Sequence, residues 1–112
     1  MCTPRQLDII TKEMAQCYQE YYGDDIVAIF LYGSYARGDF SEESDIDVTA
    51  VVKGKRLELQ KKLKFIWDYS ADVGLEHDVV ISPTVIPHDE FEMYKDTLPY
   101  YMSIQKEGVR IG

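Results

Sequence analysis

The chain has 112 residues, 46% of them hydrophobic and 29% charged, which fits one ordinary globular domain and excludes disordered, collagen-like or low-complexity behaviour. Its 12 Lys and Arg against 20 Asp and Glu leave a net charge of −8, which argues against broad contact with nucleic acid or an anionic membrane. Cys2 and Cys17 are too few for a disulfide framework, and the longest apolar run, Ile26 to Tyr32, is far shorter than the ~20 residues of a membrane span. A single cytoplasmic domain over residues 1–112 is expected, with a radius of gyration of about 13 Å.

Leu7, Ile10, Met14, Cys17, Tyr18 and Tyr21 recur at spacings of three and four, which predicts a first helix with one apolar stripe. Thr3 supplies an N-cap hydroxyl, Pro4 a first-turn proline, Gln6 the reciprocal partner of a capping box, and Gly23 a stop. Ile26 to Tyr32, apolar at nearly every position, predicts a strand covered on both faces and central in a sheet. Gly33 to Ser44 reads as a loop containing one helical turn at Tyr35 to Arg37. From Asp45 to Val52, Asp45, Asp47 and Thr49 alternate with Ile46, Val48 and Ala50, the period of a strand with two unlike faces.

After Gly54 a second long helix is predicted, with Leu59, Leu63, Ile66, Trp67 and Ser70 on its buried face, Glu58 placed to pair with Lys62, and Gly74 at its end. His77 to Ser82 reads as a third strand, with Pro83 and Pro87 bracketing the following turn. His88 to Lys106 reads as two short helices broken by Pro99. The order helix, strand, turn, strand, helix, strand, helix predicts an α/β (α+β) fold, a small mixed sheet with helices packed on it.

The stretch from Gly33 to Val48 carries the chemistry. A Gly-Ser pair leaving a buried strand and entering a helical turn offers backbone N–H groups and a hydroxyl to an anion, because glycine lets a phosphate come close. Asp45 and Asp47, two apart on a strand, point from one face, where a hard cation such as magnesium takes oxygen ligands. Asp39, Glu42, Glu43, Asp45 and Asp47 crowd residues 39 to 47 with no base among them, a repulsion that bound cations relieve. Asp78, near the start of the third predicted strand, is expected to reach the same site and complete a two-metal centre; Glu76, two residues earlier, shares its face if that strand starts early.

Gly33-Ser34, ten residues, then Asp45-Ile46-Asp47 resembles the motif of the DNA polymerase β-like nucleotidyltransferase superfamily, and more narrowly the minimal nucleotidyltransferases. The resemblance implies a polymerase β-like fold in which Gly33 and Ser34 hold a triphosphate, Asp45 and Asp47 bind two magnesium ions, and Asp78 is the third acid. It further implies transfer of AMP from ATP to a tyrosine of a HEPN-domain RNase toxin, with this chain as the antitoxin. An acidic surface suits a protein acceptor. Other readings are a small-molecule, antibiotic-modifying enzyme, an idle antitoxin that acts by binding alone, and a nucleic-acid-extending polymerase domain, the last opposed by the charge. With no second helical domain to hold an acceptor, association with a partner or a second subunit is expected.

Arg37 can contact a phosphate, and an ion pair with Asp39 or Glu42 is the plainer alternative. Lys53, Lys55, Arg56, Lys61, Lys62 and Lys64 read as a solvated helix face, because Leu57, Leu59 and Leu63 interleave with them. His77 and His88 lack partners at metal-ligand spacing.

Overall fold

The computed structural model describes residues 2–112. The first helix, α1 (Pro4–Tyr22), begins where Thr3 Oγ1 accepts from the Gln6 N–H and Gln6 Oε1 accepts from the Thr3 N–H, both at 3.1 Å. That reciprocal cap satisfies two N–H groups that a helix start otherwise leaves unpaired. A turn at Gly23–Asp25 leads to β1 (Ile26–Tyr32), followed by the single-turn α2 (Ser34–Arg37) and β2 (Ile46–Val52). Then come α3 (Arg56–His77), β3 (Ile81–Pro87), α4 (His88–Tyr94), α5 (Pro99–Glu107) and a short β4 (Val109–Arg110).

The sheet order is β3-β2-β1-β4, with β1 antiparallel to both neighbours and β2 parallel to β3. A parallel pair needs a crossover, and α3 supplies it. Ile46, Val48, Ala50 and Val52 of β2 point to one side, into a core shared with Ile10, Met14 and Tyr18 of α1 and Leu59, Leu63 and Ile66 of α3. Val51 points to the other, where Ile86, Phe91, Tyr101 and Ile104 close a second core with Phe30 and Tyr32. The alternation expected from Asp45 to Val52 is thus the alternation observed. The radius of gyration, 13.4 Å, is that of one compact unit.

The structure corrects several of these expectations. The second long helix passes through Gly74 and ends at Asp78, which takes the left-handed conformation (φ 56, ψ 49) as its C-cap. Gly74 marks a close return of the chain instead: the Val79 N–H donates to its carbonyl at 2.9 Å, and a Cβ there would meet Val79 O at 2.6 Å. The third strand therefore starts at Ile81 rather than His77, and Pro83 and Pro87 lie inside it. As the outer strand beside β2, β3 has one open edge, where a missing N–H leaves no ladder bond unmade. Trp67, expected in the core, is 48% exposed, because the buried stripe runs Leu59, Leu63, Ile66, Ser70, Val73 and passes beside it. Lys62 leaves Glu58 and sets its ammonium 6.0 Å from the centre of the Tyr22 ring.

Two tyrosine hydroxyls tie the layers together. Tyr18, fully buried, donates to Thr84 O at 2.7 Å, and Tyr22 donates to Leu59 O at 2.7 Å. Tyr18→Phe leaves a buried carbonyl short of a partner, so urea unfolding is expected to show a loss of about 1 kcal/mol with an unchanged m-value.

Candidate active site

The site forms where β1 and β2, joined antiparallel, bring the residue after one strand against the start of the other. Tyr32 is paired with Asp47, so Gly33 lies over the Asp47 side chain. Gly33 has φ +76 and ψ −154, a conformation almost confined to glycine, and a Cβ at this position would collide with Asp47 Oδ2. Its carbonyl then accepts from the Ala36 and Arg37 N–H groups, both at 3.1 Å, which starts α2 at Ser34. Tyr35, buried, stacks on Phe40 with ring centres 4.3 Å apart and folds the following loop back. A turn from Ser41 to Ser44, closed by the Ser41 N–H on Ser44 Oγ at 2.9 Å, delivers the chain to Asp45.

Asp45 is exposed just before β2, and Asp47 is half-buried within it. Burial raises the Asp47 carboxyl above its ordinary pKa and the Asp45 charge adds to the rise, while Arg37 opposes it. Two carboxylates thus share one partly desolvated site with a single nearby cation. Ser82, opposite Asp47 on the parallel strand β3, donates from Oγ to Asp45 Oδ2 at 3.4 Å. Sequence reasoning missed Ser82 because it depends on where β3 begins.

Asp78 is brought to a different place from the one expected. It sits on the cap of α3, four positions before the strand residue that faces Asp47. Among the described residues, one trio of His, Cys, Asp or Glu side chains gathers its ligand atoms within 4.8 Å, and it is Glu13, Glu76 and His77. Asp45, Asp47 and Asp78 are not so gathered, and Glu76 faces Glu13 on α1 instead. The physical cause is the extra helical turn after Gly74, which keeps both acids off the sheet. Arg37 adopts the plainer of its two expected roles, with Nε 3.2 Å from Asp39 Oδ2 and Nη1 3.4 Å from Glu107 Oε2, both exposed pairs. The lysines and arginines from Lys53 to Lys64 are solvent-exposed, as expected, with Arg56 paired to Glu90. His88 Nε2 lies 3.7 Å from Glu92 Oε1, one turn along α4.

Residues 11–111 match the family described as the nucleotidyltransferase domain. This chain belongs to that family. A protein of Methanocaldococcus jannaschii named "putative protein adenylyltransferase" is 40% identical over 91% of this chain and 95% of its own length. Another of the same organism and name is 30% identical over 87% of this chain and 89% of its own. Among solved structures, the toxin-antitoxin MntA-HpeT superimposes with a TM-score of 0.57 at 10% identity, over 91% of this chain and 72% of that one. A crystal structure of a toxin-antitoxin with AMP-PNP gives 0.57 at 12% identity, over 91% and 72%. At such identities the likeness is one of fold, and the nucleotidyltransferase fold expected from the Gly-Ser and Asp-x-Asp residues is the fold observed.

In this nucleotidyltransferase the sheet below Asp47 is sealed by hydroxyls. Tyr32 and Tyr100 hydroxyls lie 2.9 Å apart, and Thr84 Oγ1 is 3.3 Å from Tyr100. Burial pushes the Tyr32 hydroxyl well above its ordinary pKa, so it stays protonated and available as a donor. Beside Asp45, on the α3 side, opens a cavity of about 600 Å³ walled by the Glu42 to Asp45 loop, the second half of α3 and the chain from Asp78 to Ile81. No helix is long and apolar enough to cross a membrane among the described residues.

Proposed function

We propose that this nucleotidyltransferase transfers AMP from ATP to a tyrosine of a HEPN-domain toxin and so acts as an antitoxin. One observation carries the reading of the site: the glycine of the Gly-Ser turn lies directly against the Asp47 carboxylate, so a phosphate cradle and a cation-binding pair share one small volume. The names of the M. jannaschii relatives and the toxin-antitoxin folds support a protein acceptor.

The residues fit a divalent cation. Asp45 and Asp47 are acceptor-only groups on one sheet face, held together at an electrostatic cost that shows in the raised Asp47 carboxyl, and a Cβ would fill the space glycine keeps open beside them. Asp45 and Asp47 would hold two magnesium ions, which when bound neutralise charge on the phosphates and on the attacking and leaving oxygens. Gly33 lets the triphosphate reach the backbone of the turn, and Ser34 offers its hydroxyl. The acceptor hydroxyl oxygen bonds to the α-phosphorus, the bond from that phosphorus to the bridging oxygen breaks, pyrophosphate leaves, and the hydroxyl proton passes to a carboxylate of the pair. Asp78 lines the neighbouring cavity together with Asp45.

The test adds α-labelled ATP and magnesium to a lysate of the source cells with wild type or with Asp45→Asn/Asp47→Asn. One labelled protein band, carrying AMP on tyrosine and seen with wild type alone, is the expected result. Wild type that binds magnesium-ATP and labels no protein overturns the reading. Ser34→Ala is expected to weaken ATP binding about tenfold, the worth of one hydrogen bond to a charged group, as measured by calorimetry.

A further inference from the structure

The cavity beside Asp45 is open, partly apolar and unused by the phosphate cradle: Gly33, Ser34 and Asp47 are not among its walls. Its α3 wall is built from Trp67, Ala71 and Leu75, successive turns of one helix face, with Val80 across from them. Trp67 is 48%, Val80 60% and Leu75 83% exposed, so this wall holds apolar surface in water beside a transfer site. Its rim holds Glu42, Glu43, Asp45 and Asp78, and no Lys, Arg or His lines it. An apolar floor beside Glu42, Glu43 and Asp78 is complementary to an apolar side chain flanked by cations.

Chemistry gives the same direction. An in-line displacement places the incoming oxygen opposite the leaving pyrophosphate. The cavity reaches Asp45 without touching the Gly33-Ser34 cradle, so it adjoins the metal pair on a side the pyrophosphate does not take.

We propose that this cavity seats the acceptor protein itself, through a segment in which an apolar side chain enters against Trp67 and Leu75 while neighbouring Lys or Arg residues meet Glu42, Glu43 and Asp78. The inference rests on the reading of the acceptor as a protein. It assigns Asp78 to acceptor recognition, and it makes the half-exposed tryptophan a contact.

Trp67 is the one tryptophan of the chain, so its emission reports what enters. The probes are the peptide acetyl-Lys-Leu-Tyr-Leu-Lys-amide, its Glu-flanked counterpart, and adenosine, each titrated without ATP. The Lys-flanked peptide is expected to shift Trp67 emission saturably, with at least tenfold higher affinity than the Glu-flanked one and no competition from adenosine. Ala71→Phe, an exposed position where a ring fills the cavity without changing charge, should weaken the peptide at least tenfold, and Glu42→Gln/Glu43→Gln should do so in proportion to salt. Glu20→Lys, an equal or larger charge change on the exposed face of α1, should leave the peptide's affinity within twofold. Equal affinity for the two peptides, saturation by adenosine in competition with the Lys-flanked peptide, or wild-type affinity in Ala71→Phe each overturns the proposal. None of these readouts uses catalysis. A wild type that labels no protein in the lysate assay defeats the functional reading separately, and leaves the peptide titration standing on its own.

Discussion

Asp47→Asn is expected to lower nucleotide transfer about 10³-fold or more while leaving the chain at least as stable as wild type. The loss follows from the pair's proposed role: removing a carboxylate from a metal site would forfeit several kcal/mol of charge stabilisation, and each 1.36 kcal/mol is tenfold in rate. The stability side follows from Asp47's surroundings. Burial and the Asp45 charge raise its carboxyl in the folded chain, so the folded protein holds the Asp47 proton more tightly than the unfolded one does. Stability from this group is therefore fully present below the unfolded pKa, about 3.9, and is lost as pH rises through the higher folded value. At neutral pH the ionised Asp47 is a net cost, which asparagine removes. Thermal melts at pH 7 should show Asp47→Asn equal to or above wild type, and melts at pH 3.5 should bring the two together. A Tm well below wild type at pH 7 would mean that Asp47 holds the fold, and the metal assignment would lose its main support.

The same trade explains why this site could be read from the chain. Two strands joined through a loop and paired antiparallel place the last residue of one beside an early residue of the other, so Tyr32, Gly33 and Asp47 had to meet once Ile26 to Tyr32 and Asp45 to Val52 were strands. Alternation fixed the face: with Ile46 and Val48 in the core, Asp45 and Asp47 could only point the other way. α1 was equally plain, because Thr3, Pro4 and Gln6 are local signals that act within one turn.

What failed was non-local. Val79, Val80 and Ile81 form an apolar run that has the composition of a strand from its first residue, yet Val79 is tied back to Gly74, and the ladder begins only where Val80 O accepts from the Ile46 N–H at 2.8 Å and Ile81 pairs with Ile46. A glycine in a helix signals a stop when it takes a positive φ, and Gly74 instead serves a close backbone approach that no single-chain pattern reveals. The later start of the strand puts Asp78 on the cap of α3 and hid Ser82, since a parallel register is set by the length of the crossover helix rather than by a turn. Trp67 shares the helical spacing of Leu63, Ile66 and Ser70, yet it lies one position beyond the buried stripe.

Gly33→Ala is the second large effect, and it tests the geometry from the opposite side. The backbone at φ +76 costs a residue with a side chain about 1–3 kcal/mol, and the new Cβ also drives the Asp47 carboxylate from its place. Together these are expected to cost about 3 kcal/mol, or about 10 °C in Tm for a domain of this size, with transfer reduced about 10²-fold or more because both the cradle and the carboxylate are displaced. The two contributions separate in a double-mutant cycle with Asp47→Ala. With the carboxylate gone, the nearest remaining Asp47 atom to the new Cβ is the residue's own Cβ at 3.5 Å, an ordinary contact. Gly33→Ala should then cost only the backbone strain, and the cycle should return a coupling of about 1 kcal/mol. Strict additivity would mean that Gly33 serves the turn alone, and that the approach of the cradle to Asp47 contributes nothing to how this fold is held.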